Sequence, residues 1–336
     1  MTTQRWKRRP EGSTWGDFGE DDQQGRMNLL TPEVVRSAIS EVQEGVTFCL
    51  SLPLDLPGGD SVNSKRKPPE LRPVFVGDDV YSNYRWSERI PGNHDISSDE
   101  AVLLHSQYST QWDSLAHIGA EFDADGDGVP EALYYNGFRA GEDIHSPYEG
   151  GARALSIDNM ATACVQTRGV MIDARRHLGD ARTAIDMDGL QQIMDTDGID
   201  VREGDMLCLH TGFATMIMEM AGNPDAAKLH SSCAVLNGRD DRLLRWISDT
   251  GIVAIASDNM AVEDSHGTGG AEDGGSRLPL HHHCLFKLGV HLGELWYFED
   301  LAKALVDRKR NSFLITAPPL RLPGAVGSPV TPVATI

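Results

Sequence analysis

The sequence lacks the features that mark secreted, membrane-bound or disulfide-stabilised proteins. No stretch reaches the roughly 18 apolar residues that a membrane span needs, and residues 1–22 contain no apolar signal segment. The cysteines are odd in number and form no C-x-x-C pair, so neither a disulfide framework nor a zinc ribbon is expected; they are Cys49, Cys164, Cys208, Cys233 and Cys284. These absences predict a cytoplasmic protein.

Positive charge is also scarce. The chain has 30 Lys and Arg residues against 50 Asp and Glu residues, which gives a formal net charge of −20, and its basic residues form no stripe beyond the short KRRP run at residues 7–10. Such a chain repels phosphate backbones and anionic lipids, so we expect neither nucleic acid nor a membrane as a partner. With 336 residues, of which 40% are hydrophobic, it can bury one large core, and a small molecule is the expected partner.

Local patterns near the start of the chain predict a helix, a strand and a long excursion. Thr31 is a helix N-cap followed by Pro at the first helical position, and apolar residues recur at helical spacing within residues 28–45. Residues 46–54 have a strand-like pattern, whereas residues 55–98 are rich in Pro, Gly, Asn and Asp. We interpret residues 55–98 as a surface excursion that serves as a plain loop, a lid or an oligomer contact.

The remainder of the chain alternates between two patterns. Strand-like runs occur in residues 102–113, 169–176, 205–212 and 252–259, and helical segments lie near residues 187–197 and 240–250. This alternation predicts an α/β or α+β layered domain. The glycine-rich residues 265–276 lack the G-x-x-x-x-G-K-[ST] pattern of a phosphate cradle, so we expect a flexible loop. Residues 317–336 are expected to form an extended arm that packs on a neighbour.

The segment from Gln107 to His117 concentrates residues that can bind a metal ion. On a strand, Gln107, Ser109, Gln111 and Asp113 would share one face, and a turn after Asp113 would return His117 toward them. Two amide oxygens, a carboxylate and an imidazole within eleven residues could hold a divalent ion and leave positions open for water and substrate. A buried hydrogen-bond network is the alternative interpretation, and spacing alone leaves both open.

Two further features carry weaker signals. Residues 123–128 read DADGDG, like the start of an EF-hand calcium loop, but the twelfth position is Tyr134 rather than a bidentate Glu, although Glu131 stands at the ninth. We therefore prefer an acidic surface turn without calcium. His210 and His266 fall on predicted loops, where each either lines a pocket or has an ordinary structural role.

The segment from residue 107 to residue 117 resembles the H-x-G-T-H-x-D-x-P-x-H metal motif of the cyclase family, which includes bacterial kynurenine formamidases and isatin hydrolases. It is especially similar to the branch that reads S-T-Q-W-D-x-L-x-H. Thr110, Asp113 and His117 match directly, whereas Gln107 and Gln111 stand where the formamidases have metal-binding histidines. The resemblance also covers residues 15–32, 134–138, 169–177, 202–213 and 255–263.

Near the C-terminus, residues 279–302 resemble the closing motif of the family, a His followed about a dozen residues later by a Glu. Glu294 matches the Glu, and the histidine is His281 or His282, of which we prefer His281. A solvated histidine cluster at a helix start is the alternative. The resemblance implies three sets of site residues: catalytic His117, His281 and Glu294; metal-binding Gln107, Gln111, Asp113 and His117; and substrate-binding Trp112, Tyr134 and His282.

The resemblance further implies a fold and an assembly. The fold is α/β, of the swivelling β/β/α kynurenine formamidase-like type, with a central mixed β-sheet or small barrel flanked by helices. One catalytic domain is expected to cover residues 1–336, with an N-terminal extension at residues 1–27 and the C-terminal arm at residues 317–336. A homodimer or homotetramer is expected.

The implied activity is that of a metal-dependent hydrolase. It would cleave an amide, cyclic amide or lactone of a small aromatic or cyclic substrate with metal-activated water. Glutamine in place of histidine weakens zinc binding and favours harder ions, so the expected cofactor is Mn²⁺ or Zn²⁺, with Mg²⁺ as a further candidate. A non-hydrolytic cyclase or dehydratase and a metal-free binding protein of the same fold are the alternatives.

Overall fold

A nine-stranded mixed sheet lies at the centre of the fold. The computed structural model describes residues 5–265 and 275–336. Within those ranges the strands are β1 (Thr47–Cys49), β2 (Glu70–Pro73), β3 (Phe75–Val76), β4 (Asp79–Val80), β5 (Tyr84–Arg85), β6 (Ile96–Ser97), β7 (Glu100–Leu103), β8 (Gln111–Asp113), β9 (Ala120–Phe122), β10 (Glu131–Leu133), β11 (Gln166–Asp173), β12 (Thr183–Ile185), β13 (Met206–His210), β14 (Ala234–Leu236), β15 (Ala254–Ser257), β16 (His291–Glu294), β17 (Ser312–Thr316), β18 (Gly327–Pro329) and β19 (Val333–Thr335).

The helices in the same ranges are short to medium in length. They are α1 (Pro32–Ile39), α2 (Ile157–Thr162), α3 (Ala174–Leu178), α4 (Met187–Asp197), α5 (Phe213–Met220), α6 (Ala226–His230), α7 (Asp241–Thr250), α8 (Pro279–His281) and α9 (Glu299–Arg308). A π-helix, His282–Leu288, directly continues α8. None of the helices described here has the length and apolar character that a bilayer span requires.

The strand order of the central sheet is β1-β19-β17-β11-β13-β15-β16-β8-β18. The neighbours β11, β13, β15 and β16 are parallel, and the flanking pairs are antiparallel. The strand order does not close on itself. Of the two expected forms, a mixed β-sheet and a small barrel, the structure therefore has the mixed sheet. Because the four parallel strands run the same way, their carboxyl ends meet at one edge, which is where open α/β sheets place their ligands.

Side-chain caps explain where three of the helices begin. The side chains of Thr31, Asp186 and Asp240 each accept a hydrogen bond from a backbone N–H in the first turn of α1, α4 and α7 respectively. Such a cap satisfies an amide that the helix itself cannot pair, and it is a local property of the sequence. The helix predicted within residues 28–45 and those predicted near residues 187–197 and 240–250 are confirmed.

Helices cover both faces of the sheet. On one face, α4, α7 and the helix that runs from Pro279 to Leu288 bury their apolar residues with those of the sheet, such as Leu209 and Leu292. On the other face, α2 and α9 pack with residues such as Cys208 and Trp112. A third, smaller cluster packs α5 and α6 against the buried side chains of residues 52–62. This last cluster holds the chain before the excursion close to the carboxyl edge of the sheet.

Three segments differ from the sequence-based expectation. Residues 102–113 are not one strand, because β7 ends at Leu103 and only Gln111–Asp113 forms β8. The excursion at residues 55–98 contains paired ribbons, in which β2 pairs with β7, β3 with β4 and β5 with β6. Residues 317–336 contribute β18 and β19 to the sheet of their own chain, where Ala334 and Ile336 are fully buried.

Candidate functional site

The short strand β8 presents two polar side chains to one face of the sheet. Gln111 lies opposite Glu294 of β16 in the antiparallel register, and Asp113 lies opposite Leu292. Because alternate residues of a strand share a face, Gln111, Asp113 and Glu294 point the same way. All three are buried. The pairing of β8 with β16 therefore brings together polar residues that are 183 positions apart in the chain.

His281 completes a buried triad with Asp113 and Glu294. Its Nε2 lies 3.3 Å from Glu294 Oε1 and 3.8 Å from Asp113 Oδ2. One ligand atom from each of the three residues can be chosen so that all lie within 4.8 Å of one another. Of the two candidate histidines of the closing motif, His281 thus lies in the triad and His282 does not. An imidazole nitrogen and two carboxylates form a donor set that binds borderline and hard divalent ions.

The carboxylates of the triad are not satisfied by the protein alone. Asp113 Oδ2 is buried and has no hydrogen-bond partner within the described residues. Burial raises the pKa of Glu294, and the neighbouring Asp113 carboxylate raises it further. A buried acceptor without a partner costs about 1–3 kcal/mol, and more when it is charged. A cation bound beside Asp113 Oδ2 would supply the partner that this buried oxygen lacks.

Glu263 fixes the orientation of His281. Its Oε1 lies 2.7 Å from His281 Nδ1, and its two oxygens also accept the backbone N–H groups of Leu280 and His281. Burial lowers the pKa of His281, but the hydrogen bonds that its ring donates to Glu263 and Glu294 outweigh this effect and raise the pKa to about 10. With Nδ1–H donating to Glu263, the Nε2 atom faces the two carboxylates. A carboxylate behind a histidine is the usual arrangement around protein metal ions.

Gln107, Gln111 and His117 lie around the triad. Gln107 Nε2 donates to Asp113 Oδ1 and lies 3.2 Å from His117 Nδ1, and Gln111 Nε2 donates to Glu294 Oε2 at 2.9 Å. His117 Nε2 is 3.9 Å from Asp113 Oδ1, and its side chain keeps 21% of its exposure. The turn after Asp113 thus returns His117 toward the site as expected. Both glutamines present amide nitrogen, rather than oxygen, to the triad.

Arg66 reaches the site from the excursion. Its Nη1 donates to Gln111 Oε1 at 3.4 Å and lies 3.8 Å from Glu294 Oε2. The hydroxyl of Tyr108 anchors the same stretch of chain, because it accepts the N–H of Gly58 and donates to the carbonyl of Gly59. Neither contact was predicted, since residues 55–98 carry no pattern that links them to the motif.

Three predicted substrate-binding residues lie elsewhere. Trp112 is fully buried on the opposite face of β8, where its ring packs edge-on against Trp296 and its Nε1 donates to the Ala317 carbonyl. His282 stacks on the ring of Phe286, and burial lowers its pKa to about 4. Tyr134 packs against the first core cluster, and burial raises its pKa. Strand alternation explains the correction for Trp112, because its two neighbours in β8 face the site.

The other residues singled out from the sequence make their contacts outside the triad. Ser109 donates to the Pro53 carbonyl rather than to the motif face. In the acidic turn, the carboxylates of Asp123, Asp125 and Asp127 accept backbone N–H groups of the same turn. His210 is buried between Asp173 and Glu299, on the face of the sheet opposite the triad. His266 and most of the predicted loop at residues 265–276 lie outside the described residues.

The sequence reasoning missed Glu263 and the buried His291. Glu263 ends the stretch 255–263 that carries part of the family resemblance, and this was the available signal. His291 opens β16, and burial lowers its pKa to about 3, so the ring is neutral. Its Nδ1 has no hydrogen-bond partner in the described part of the chain.

Comparison with known proteins identifies related sequences and folds. The Cyclase family model matches residues 50–264. No curated protein matches the chain. Among solved structures, one described as a novel cyclase is 30% identical, with a TM-score of 0.75 over 96% of this chain and 97% of that chain.

Two isatin hydrolases share the fold at lower identity. Isatin hydrolase A from Labrenzia aggregata, bound to benzyl benzoate, is 13% identical, with a TM-score of 0.54 over 90% of this chain and 97% of that chain. Isatin hydrolase A from Ralstonia solanacearum is 14% identical, with a TM-score of 0.53 over 91% of this chain and 98% of that chain. At these identities the likeness concerns the fold.

Proposed function

Because this chain belongs to the cyclase family, we propose that it is a metal-dependent hydrolase of a small amide, cyclic amide or lactone. The observation that carries the proposal is the unpartnered Asp113 Oδ2, buried beside the Nε2 of His281 and the carboxylate of Glu294. The isatin hydrolases of the same fold act on a cyclic amide, which supports this substrate class.

The residues present fit a divalent ion. We assign Asp113, His281 and Glu294 as its ligands, with Glu263 orienting the histidine. Mn²⁺ and Zn²⁺ suit one imidazole and two carboxylates, and Mg²⁺ is the harder alternative. When bound, such an ion supplies Lewis acidity toward a carbonyl oxygen and promotes the ionisation of water.

The surrounding residues have supporting roles in this proposal. Gln107 and Gln111 hold the carboxylates of Asp113 and Glu294 through their amide N–H groups and are not ligands. His117 is the titratable group of the site that keeps solvent contact, so we assign it the exchange of protons with water or the leaving group. It is linked to Asp113 through Gln107.

The substitution Asp113→Asn tests the proposal. It keeps the size of the side chain and removes the unpaired charge, so we expect Mn²⁺ affinity, measured calorimetrically, to fall by about 100-fold or more. Hydrolysis of a panel of N-formyl aromatics, cyclic imides and lactones with added Mn²⁺ or Zn²⁺ should fall in parallel. Asp99→Asn is the matched control, because Asp99 is an exposed residue directly after the excursion. Equal Mn²⁺ affinity in Asp113→Asn and wild type would contradict the assignment of Asp113 as a ligand, whereas wild type that takes up no metal would favour a metal-free binding protein.

An intramolecular cyclase is the second candidate. It is favoured by the description of the relative that is 30% identical as a cyclase. The same triad would activate a carbonyl group toward a nucleophile within the substrate rather than toward water. Mass spectrometry of the product separates the two reactions, because hydrolysis adds one water and cyclisation does not.

A further inference from the structure

A cavity lies between the triad and the start of the excursion. Val62, Met260 and Leu295 supply apolar walls, and Asn63, Arg66 and Tyr108 supply polar groups. Arg66 links this cavity to the triad, because it lines the cavity and its Nη1 lies 3.8 Å from Glu294 Oε2. Val62 and Leu295 belong to the cluster that packs against α5, which makes these walls part of the core.

Arg66 is the charged residue of this lining. Tyr108 is engaged by the backbone of Gly58 and Gly59, and Asn63 Oδ1 accepts the N–H of Lys65. Arg66 uses Nη1 for Gln111, whereas Nε and Nη2 have no hydrogen-bond partner among residues 5–265 and 275–336. Its distance of 3.8 Å from Glu294 exceeds a hydrogen bond. One edge of the guanidinium is therefore available to a ligand.

We propose that Arg66 binds a carboxylate on the substrate and thereby selects anionic amides or lactones, an inference that rests on the function proposed above. The free Nε and Nη2 edge presents two parallel N–H groups, which match the two oxygens of a carboxylate. Apolar walls on the same cavity strengthen this attraction, because they exclude competing water. The side chain is 23% exposed, so an incoming anion can reach it.

The position of Arg66 also constrains the distance between the carboxylate and the scissile carbonyl of the substrate. The scissile carbonyl belongs near Asp113 and Glu294, and the carboxylate belongs at the guanidinium edge, with the apolar part of the molecule against Val62 and Met260. Arg66 already lies 3.8 Å from Glu294. The carboxylate and the scissile carbonyl of the substrate are thus expected to lie close together in the molecule.

A purely structural role for Arg66 can be distinguished from carboxylate binding by comparing a charged ligand with a neutral one. If the guanidinium only neutralised Glu294, its removal would change metal affinity and leave the protein indifferent to charge on a ligand. We therefore compare benzoate and benzamide, which share a ring and differ in charge. Binding is measured calorimetrically in wild type, R66M, R66K and K65M, with saturating Mn²⁺ and again after chelation.

We expect wild type to bind benzoate more tightly than benzamide, and R66M to bind benzoate at least tenfold more weakly in both metal states. R66K should retain part of the preference, because an ammonium carries the charge without the planar fork. K65M should match wild type, since it removes one positive charge from an exposed neighbour. Benzamide binding should change less than twofold in every variant.

Several outcomes overturn the inference. These are equal benzoate affinity in wild type and R66M, equal affinity of wild type for benzoate and benzamide, or no binding of benzoate at all. Failure of the proposed function is read separately, as wild-type protein that takes up no Mn²⁺ and hydrolyses nothing in the panel. In a hydrolytic protein, R66M should also lower kcat/KM for N-formylanthranilate much more than for formanilide.

Discussion

The imidazole of His281 is held from its Nδ1 side by Glu263, and this contact determines which nitrogen faces Asp113 and Glu294. A carboxylate in this position also raises the basicity of the ring, as the high pKa of His281 reflects. Site chemistry at the residue scale therefore depends on a residue to which the sequence analysis assigned no role.

Substitution of Glu263 by Gln tests this dependence. The amide keeps an oxygen for His281 but loses the charge, so we expect Mn²⁺ affinity to fall by about 10- to 100-fold without loss of the fold. Calorimetric titration gives the affinity, and circular dichroism checks the fold. Glu121→Gln, on the exposed position of β9, is the matched control. An unchanged affinity in Glu263→Gln would mean that His281 is not a ligand.

The acidic turn offers a second test at the residue scale. Both oxygens of Asp123 and one oxygen each of Asp125 and Asp127 accept backbone N–H groups, and Glu131 pairs with Arg139. We expect Asp125→Asn to leave turnover within about twofold of wild type and to leave calcium binding absent. A loss greater than roughly tenfold, about 1.4 kcal/mol, would show that the turn contributes to the site.

At the scale of elements, His210 connects β13 with β11 and α9. Its Nδ1 lies 2.9 Å from Asp173 Oδ1, and its Nε2 lies 3.2 Å from Glu299 Oε2. Burial lowers the pKa of His210, but the hydrogen bonds that its ring donates to Asp173 and Glu299 outweigh the effect of burial and raise the pKa to about 9. The protonated ring thus holds together three elements at the carboxyl edge of the sheet, on the face opposite the triad.

This arrangement predicts a stability that falls in mild alkali. Because the pKa is higher in the folded than in the unfolded state, the contribution is complete below about pH 6.5 and is lost as the pH rises toward 9. His210→Gln should cost up to about 3 kcal/mol at pH 6, since Asp173 and Glu299 lose a shared cation, although Glu299 keeps its ion pairs with Arg175 and Lys303. The variant should lose less stability than wild type between pH 6.5 and 9. Parallel urea-unfolding profiles over that range would refute the prediction.

At the scale of the whole molecule, the excursion exposes apolar side chains. Within residues 70–103, Leu71 is 74% exposed, Ile96 is 63% exposed and Phe75 is 56% exposed. Concentrated exposed apolar surface is typical of an interaction site between proteins. We therefore propose that this surface is the contact of a homo-oligomer, which is one of the three roles that the sequence left open for residues 55–98.

The double substitution L71S and I96S tests that role. We expect wild type to show a multiple of the 36.7 kDa chain mass by light scattering after gel filtration, and the double variant to shift toward the single chain. Unfolding by urea should change little, because both side chains are exposed in the isolated chain. A wild-type protein that runs at the single-chain mass would contradict the expectation.

Short-range signals in the sequence determined part of this structure. The N-caps at Thr31, Asp186 and Asp240 and the helical periodicity that follows them identify α1, α4 and α7, because capping and periodicity act within a few residues. The family resemblance likewise located Asp113 and Glu294, both members of the triad.

Tertiary structure alone decided how these residues meet and which neighbours complete the site. The strand β8 is buried on both faces, so the alternation in its Gln-Trp-Asp sequence showed which side chains share a face but not which face meets a ligand. Pairing with β16 placed Trp112 in the core and Asp113 in the site. Glu263 and Arg66 reached the triad from other parts of the chain, because long-range packing sets such contacts and local spacing carries no record of them.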